Sequence, residues 1–274
     1  MLSLSMRRII AATLSAALLV SASGAAFAAD EPAPAPIAPP SLESALATLA
    51  PQSALLAGDA AGAFGLAKVQ LPACEIKDIP TRYGKVKQWK RTLLDTNLKL
   101  KRTYKPWDLV SVSRANISGS GKVRKVMIDD LKALARAARK KGKPLAVRSA
   151  YRSYEYQKSL FDYYVRSSGY AQAIKFSARP GHSEHQLGTT IDFTTAPSVP
   201  LKTSFGESPS GKWLARNGWK YGFIMSYPKG KRSASCYGYE PWHWRYFGRD
   251  LARKIHESGQ VPRRYLYENF ETAP

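Results

Sequence analysis

Residues 177–193 read "SARPGHSEHQLGTTIDF", and the end of this stretch decides the fold. In "TTIDFTT", residues 189–195, Ile191 and Phe193 alternate with Thr190, Asp192 and Thr194. That is the period of a strand, whose successive side chains point to opposite faces. Such a strand buries Ile191 and Phe193 and turns Asp192 toward a cleft on its other face. Gly188 permits a tight turn just before it, bringing His185 back over the same face. Imidazole and carboxylate are two of the three protein ligands of a catalytic zinc site, whose fourth position is left to water. A capped strand entrance would look the same, so the pair alone leaves both readings open.

A second stretch, "YEPWHWRYFG" at 239–248, places Glu240 three residues before His243 among aromatics. His243 would complete a His/Asp/His set. Glu240 beside it is a carboxylate able to take a proton from a water whose pKa zinc lowers to about 7. Three of the four histidines fall inside these two stretches, and only His256 lies elsewhere. The plainer alternative is a buried aromatic strand with an incidental histidine.

The surrounding pattern mixes both element types. "TLLDTNLKL" (92–100), "WDLVSV" (107–112), "PLAVRSAY" (144–151) and "WKYGFIMSY" (219–227) read as strands. Lys125 to Lys141 reads as a helix with Ile128, Leu131, Leu134 and Ala138 on one face and cations on the other, stopped by Gly142-Lys143-Pro144. Ser153 is placed to cap a helix carrying Gln157, Leu160 and Tyr164. "GKWLARNG" (211–218) is a short helix ended by Gly218, and "GRDLARKIHESGQ" (248–260) is another. Helices and strands interleave without a regular βαβ period, which predicts an α+β fold.

Composition bounds the compartment and the partners. Arg7 and Arg8, the apolar run Ile9 to Val20, and Ala26-Phe27-Ala28 make residues 1–28 read as a cleavable export signal. The apolar run is short and alanine-rich for a membrane span, so an exported, extracellular, wall-bound or membrane-tethered protein is expected. Residues 29–70, rich in Ala and Pro, read as a linker or tether. Residues 71–274 carry the aromatics, charges and turn signals of one globular domain. A formal charge of +22 speaks of partners rather than of fold. In an exported protein anionic wall polymers, phospholipid headgroups or acidic glycans fit better than nucleic acid, a merely basic surface being the plain alternative, and the aromatics gather around the two histidine stretches instead of spreading among the cations. Cys74 and Cys236, an even pair in an oxidising compartment, are expected to form a disulfide. Two buried thiols are the alternative.

Taken together, "SAYRSYEYQ" (149–157), "GHSEHQLGTTIDF" (181–193) and "EPWHWRY" (240–246) resemble the zinc D-alanyl-D-alanine carboxypeptidases of the VanY type, among the LAS-type metallopeptidases. The resemblance spans roughly residues 85–250. It departs from the family at Thr189 and Thr190, where small apolar residues are usual. It implies a small, mostly antiparallel sheet with flanking helices around one zinc site, as in hedgehog and D,D-peptidase folds. By position, His185, Asp192 and His243 become the ligands of one Zn2+ per chain and Glu240 the general base. Arg152 becomes the group that stabilises the oxyanion, where a guanidinium aimed at developing charge contributes most. Gln157 and Ser183 match positions that contact a peptide substrate, and His182 is left as a cleft-lining residue. The implied reaction is removal of the terminal D-alanine from peptidoglycan stem peptides by a monomer. An L,D-carboxypeptidase or an endopeptidase could use the same ligands, and a non-catalytic wall-binding protein could keep the same fold. The intact Glu240 argues against the last.

Overall fold

The computed structural model describes residues 69–272. The expected export signal (1–28) and almost all of the expected linker (29–70) lie outside the described residues. The described strands are β1 (Ile79–Pro80), β2 (Leu98–Lys99), β3 (Leu109–Ser111), β4 (Ser118–Gly119), β5 (Lys122–Arg124), β6 (Ala146–Ser149), β7 (Thr190–Thr194), β8 (Phe223–Met225) and β9 (His243–Tyr246). The helices are α1 (Ile128–Lys140), α2 (Tyr154–Ser168), α3 (Tyr170–Phe176), α4 (Pro209–Asn217), α5 (Arg232–Ser235), α6 (Arg249–Glu257) and α7 (Pro262–Leu266). None of them is long and apolar enough to cross a membrane.

The centre is a five-stranded sheet in the order β4-β6-β7-β9-β8. Only the β4–β6 pair is parallel; the other three pairings are antiparallel. The fold is α+β with a mostly antiparallel sheet, as the sequence suggests. Its two faces differ in kind because the strands alternate. Val147, Ile191, Phe193, Phe223, Trp244 and Tyr246 form one buried apolar cluster with Leu131, Leu134 and Ala138 of α1 and Leu214 of α4. Each large side chain so buried contributes about 1.5–3 kcal/mol. Thr190, Asp192 and Thr194 of β7 and His243 and Arg245 of β9 take the alternate positions. These polar residues are also buried, because a 3₁₀ turn at Glu184–Leu187 packs against β7.

Several elements depart from the reading of the sequence. Of "TLLDTNLKL", only Leu98 and Lys99 pair, in parallel with Ile79 and Pro80. Asp95 accepts from the backbone N–H groups of Asn97 and Leu98, each at 2.7 Å. A turn held this way competes with extended pairing. "WDLVSV" leaves its strand at Ser111 for a 3₁₀ turn over Val112–Ala115, and "WKYGFIMSY" contributes only β8. The helix expected from Lys125 begins with a 3₁₀ turn and becomes α-helical at Ile128. Ser153 caps α2 as expected, its Oγ accepting from the Tyr156 N–H at 3.1 Å.

Gly218 does not terminate a helix by taking positive φ. The chain runs on through a 3₁₀ turn at Gly218–Tyr221, and Gly222 at φ +88° ends it. Gly218 is needed for room instead, since a Cβ there would lie 2.7 Å from the Trp244 ring.

Candidate functional site

The site is assembled by register on the polar face of the sheet. β7 pairs with β9 so that Asp192 stands opposite His243, and with β6 so that Ser149 stands opposite Asp192. The β6 pairing is irregular between Val147 and Ser149, and the segment that follows carries Ala150 and Arg152 past His185. Gly188, at φ +71°, closes the Glu184–Leu187 turn with its N–H on the His185 carbonyl at 3.1 Å. A Cβ at Gly188 would also press on Leu109, Arg124 and Pro106 at 3.0–3.3 Å, so only glycine fits both the conformation and the space.

His185 and His243 face each other nearly perpendicular, with ring centroids 5.0 Å apart. Each ring has one nitrogen held from outside and one turned toward Asp192. His185 Nδ1 lies 2.6 Å from the Ala150 carbonyl oxygen. A carbonyl only accepts, so Nδ1 carries the proton and Nε2 keeps its lone pair. His243 Nε2 lies 3.0 Å from Glu184 Oε2, which leaves Nδ1 as the inward nitrogen. His185 Nε2 is 3.2 Å from Asp192 Oδ2, and His243 Nδ1 is 3.4 Å from Asp192 Oδ1.

One donor atom from each of the three residues lies within 4.8 Å of the others, and all three are buried. His185 Nε2 and Asp192 Oδ1 have no hydrogen-bond partner. Buried polar atoms without partners are costly, and here they converge on one point. Tetrahedral coordination with bonds of about 2.0–2.1 Å needs donors about 3.3 Å apart, and each imidazole lies at about that distance from an oxygen of the Asp192 carboxylate. The donor set fits a metal ion.

Charge in the site follows from burial and neighbours. Burial, helped by the Arg152 guanidinium, pushes the His185 pKa down to about 4, so its imidazole is neutral and ready to donate. Burial opposes ionisation of Asp192, but His185 and His243 outweigh it and hold the carboxyl well below the usual range. His243 goes the other way: burial disfavours its charge, yet Asp192 and Glu184 raise its pKa to about 9. Glu240 Oε2 sits 3.6 Å from His243 Nδ1. Burial raises the Glu240 carboxyl to about 7, against the pull of His243, which suits a group that must take up and return protons near neutral pH.

The remaining residues singled out in the sequence are placed as follows. Arg152 acts on the charges of both His185 and Glu240, and its buried Nε has no hydrogen-bond partner. Gln157 is buried; its Nε2 donates to the Ala178 carbonyl at 2.7 Å, leaving Oε1 unpartnered. Ser183 Oγ accepts from the His185 N–H at 3.3 Å, which leaves its hydroxyl hydrogen to donate. His182 is a correction. It does not line the cleft: its ring is buried, with Nδ1 2.8 Å from the Asp95 carbonyl oxygen and Nε2 2.9 Å from Asp78 Oδ1, so both nitrogens are occupied in holding the N-terminal segment.

Glu184 and Arg245 escaped the sequence reading, although Glu184 directly precedes His185 and Arg245 lies two residues after His243. The only signal was a charge at alternate spacing from His243 in an otherwise aromatic strand. Burial would raise the Glu184 pKa, but Arg245, His243 and Ser226 hold it down to about 2.

A family model described as VanY, D-alanyl-D-alanine carboxypeptidase, matches residues 120–249. A solved structure of a zinc-bound point mutant of the vancomycin resistance D,D-pentapeptidase VanY is 30% identical, with a TM-score of 0.55. The match covers 66% of this chain and 99% of that one. The chain belongs to the VanY family. Two further matches extend the comparison. The LdcB LD-carboxypeptidase, whose structure concerns peptidoglycan recognition, is 37% identical with a TM-score of 0.59 over 66% of this chain and 86% of that one. YodJ of Bacillus subtilis strain 168, provisionally named a carboxypeptidase, is 38% identical over 180 residues, 64% of this chain. The match spans 66% of the length of YodJ.

Proposed function

We propose that this VanY-family member is a zinc-dependent carboxypeptidase that removes the terminal D-alanine from peptidoglycan stem peptides. One observation carries the reading: His185 Nε2, Asp192 and His243 Nδ1 converge as a donor set, with Glu240 3.6 Å from His243 Nδ1. Zinc bound by these three residues would supply Lewis acidity, polarising the scissile carbonyl and lowering the pKa of the attacking water to about 7.

The chain's own residues do the rest. Glu240 takes the proton from the attacking water onto its carboxylate and later returns it to the departing amine. Arg152 faces the negative charge that develops on the carbonyl oxygen and stabilises it most at the transition state. Gln157 Oε1 accepts from a substrate N–H, and the Ser183 hydroxyl donates to a substrate oxygen. Export, with the basic surface held against anionic wall polymers, supplies the setting for a monomeric enzyme. The Cys74–Cys236 disulfide is in keeping with an oxidising compartment.

A second cut is favoured by one specific observation, the 37% identity to an LD-carboxypeptidase. It would remove the last residue of a tetrapeptide with the same residues in the same roles. Mass spectrometry of defined muropeptides incubated with the protein, with zinc and with chelator, separates the two. Metal-dependent loss of one alanine from the pentapeptide supports the D,D cut. Loss from the tetrapeptide alone replaces it with the L,D cut, and cleavage of neither with metal bound overturns both.

A further inference from the structure

Glu184 is neither a metal donor nor the base, yet it is the most heavily bonded carboxylate around the site. Its Oε1 accepts from Arg245 Nη1 at 2.9 Å, and its Oε2 accepts from Ser226 Oγ at 2.6 Å and faces His243 Nε2 at 3.0 Å. Arg245 is fully buried. Its Nη2 donates to the Trp89 and Thr92 carbonyls at 2.8 and 2.7 Å, and its guanidinium lies 4.5 Å from the Phe247 ring centroid. His243 and Arg245, two apart on β9, reach the same carboxylate. Glu184 itself immediately precedes His185.

A buried ion pair of this kind is a poor source of stability, because desolvating both charges offsets most of their attraction. Its geometry gives it another use. We propose that Glu184, locked by Arg245 and Ser226, is a positioning residue for the metal: it fixes the His243 ring with Nε2–H outward and Nδ1 inward, and ties β9 to the turn that carries His185. Asp192 stands on the other side of the ring, with Oδ1 3.4 Å from Nδ1. Glu240 Oε2 also faces Nδ1, and the Tyr227 ring lies against the imidazole with centroids 4.6 Å apart, but Glu184 is the residue that engages Nε2. Carboxylates that orient a ligating histidine typically change metal affinity by about 10–100-fold when removed.

This inference rests on the metal-site reading above. The test is made on the full chain, with zinc and cobalt affinity measured by competition against a chelator, the cobalt absorption spectrum, and the melting temperature of the metal-free protein. Glu184→Gln is expected to weaken metal binding about 10–100-fold and to alter the cobalt spectrum. The double variant Glu184→Leu/Arg245→Met leaves no lone buried charge. It is expected to melt, metal-free, at or above the wild-type temperature and still to show the affinity loss. Wild-type affinity and spectrum in that folded double variant would overturn the proposal and make the pair purely structural. His185→Ala separates the layers: if it binds metal as tightly as wild type, the donor set is wrong and the inference falls with it.

Discussion

Glu240 is the residue on which chemistry and protonation meet. Replacing it by Gln keeps the volume and leaves the three donors in place. Glu240→Gln should therefore bind metal at wild-type stoichiometry while turnover falls by about 10²–10⁴-fold, the contribution of a general base. Retained turnover would remove Glu240 from that role. The same variant reports on the raised pKa. Below the ordinary carboxylate value of 4.5 the group is neutral folded and unfolded, and it has no effect on stability. As pH rises toward 7 the unfolded chain ionises first, while the folded carboxyl holds its proton up to about 7. The folded state then binds more protons, so metal-free wild-type protein loses stability over that range. Metal-free Glu240→Gln lacks this loss and should be more stable than wild type at pH 8 by about 3 kcal/mol, with the gap closing near pH 4. Urea unfolding of both proteins at the two pH values measures it.

The elements work through register. Asp192 and His243 are fifty-one residues apart in the chain yet stand opposite each other because β7 and β9 pair antiparallel at that position. A one-residue slip would turn one ligand into the apolar layer, where Ile191 and Trp244 now sit, so burial of that layer is what fixes the site. Packing beneath β9 is close at Gly218, where an added Cβ would meet the Trp244 ring at 2.7 Å. Gly218→Ala should destabilise the protein by about 1–3 kcal/mol through overpacking and change the fluorescence of Trp244, while the backbone, at φ −53°, accepts alanine without strain. An unchanged melting temperature would mean that the packing of the Gly218–Tyr221 turn on β9 is looser than described. The elements also explain why the strands are shorter than their apolar runs suggest. Asp95 folds its own segment into a turn, and "WKYGFIMSY" has a single paired partner, β9, so periodicity alone overstates their length.

At the scale of the molecule, the N-terminal segment is held to the rest by long-range links. Cys74 and Cys236 form a disulfide across 162 residues of sequence, with Cα atoms 5.2 Å apart. Asp78 meets Arg179 and His182 at 2.6 and 2.9 Å, and Arg263 binds Asp95 at 2.6 Å in the interior. A crosslink that closes so long a loop restricts the unfolded chain strongly, and losing it should cost about 2–5 kcal/mol. Cys74→Ser/Cys236→Ser should show this as a lower urea midpoint. Addition of a thiol reductant should reproduce the shift in wild type and leave the variant unmoved. A variant as stable as wild type would mean that the ion pairs suffice to hold the segment.

The sequence by itself determined the family and the candidate residues. His185 with Asp192, and Glu240 with His243, are each close in the chain: turn and strand geometry predicted the first pair on one face, and the resemblance of the motifs supplied the roles of both. The α+β class followed from the mixture of periods in the same way. Only the tertiary structure decided how the pairs meet, which nitrogen of each histidine faces inward, that His182 is spent on Asp78 and Asp95, and that Glu184 and Arg245 stand behind the ligand. The physical reason is range. A spacing of three to seven residues is constrained by local backbone geometry, whereas a contact across fifty or more depends on how the whole core packs, and a buried charge looks like a surface charge until its partner is seen.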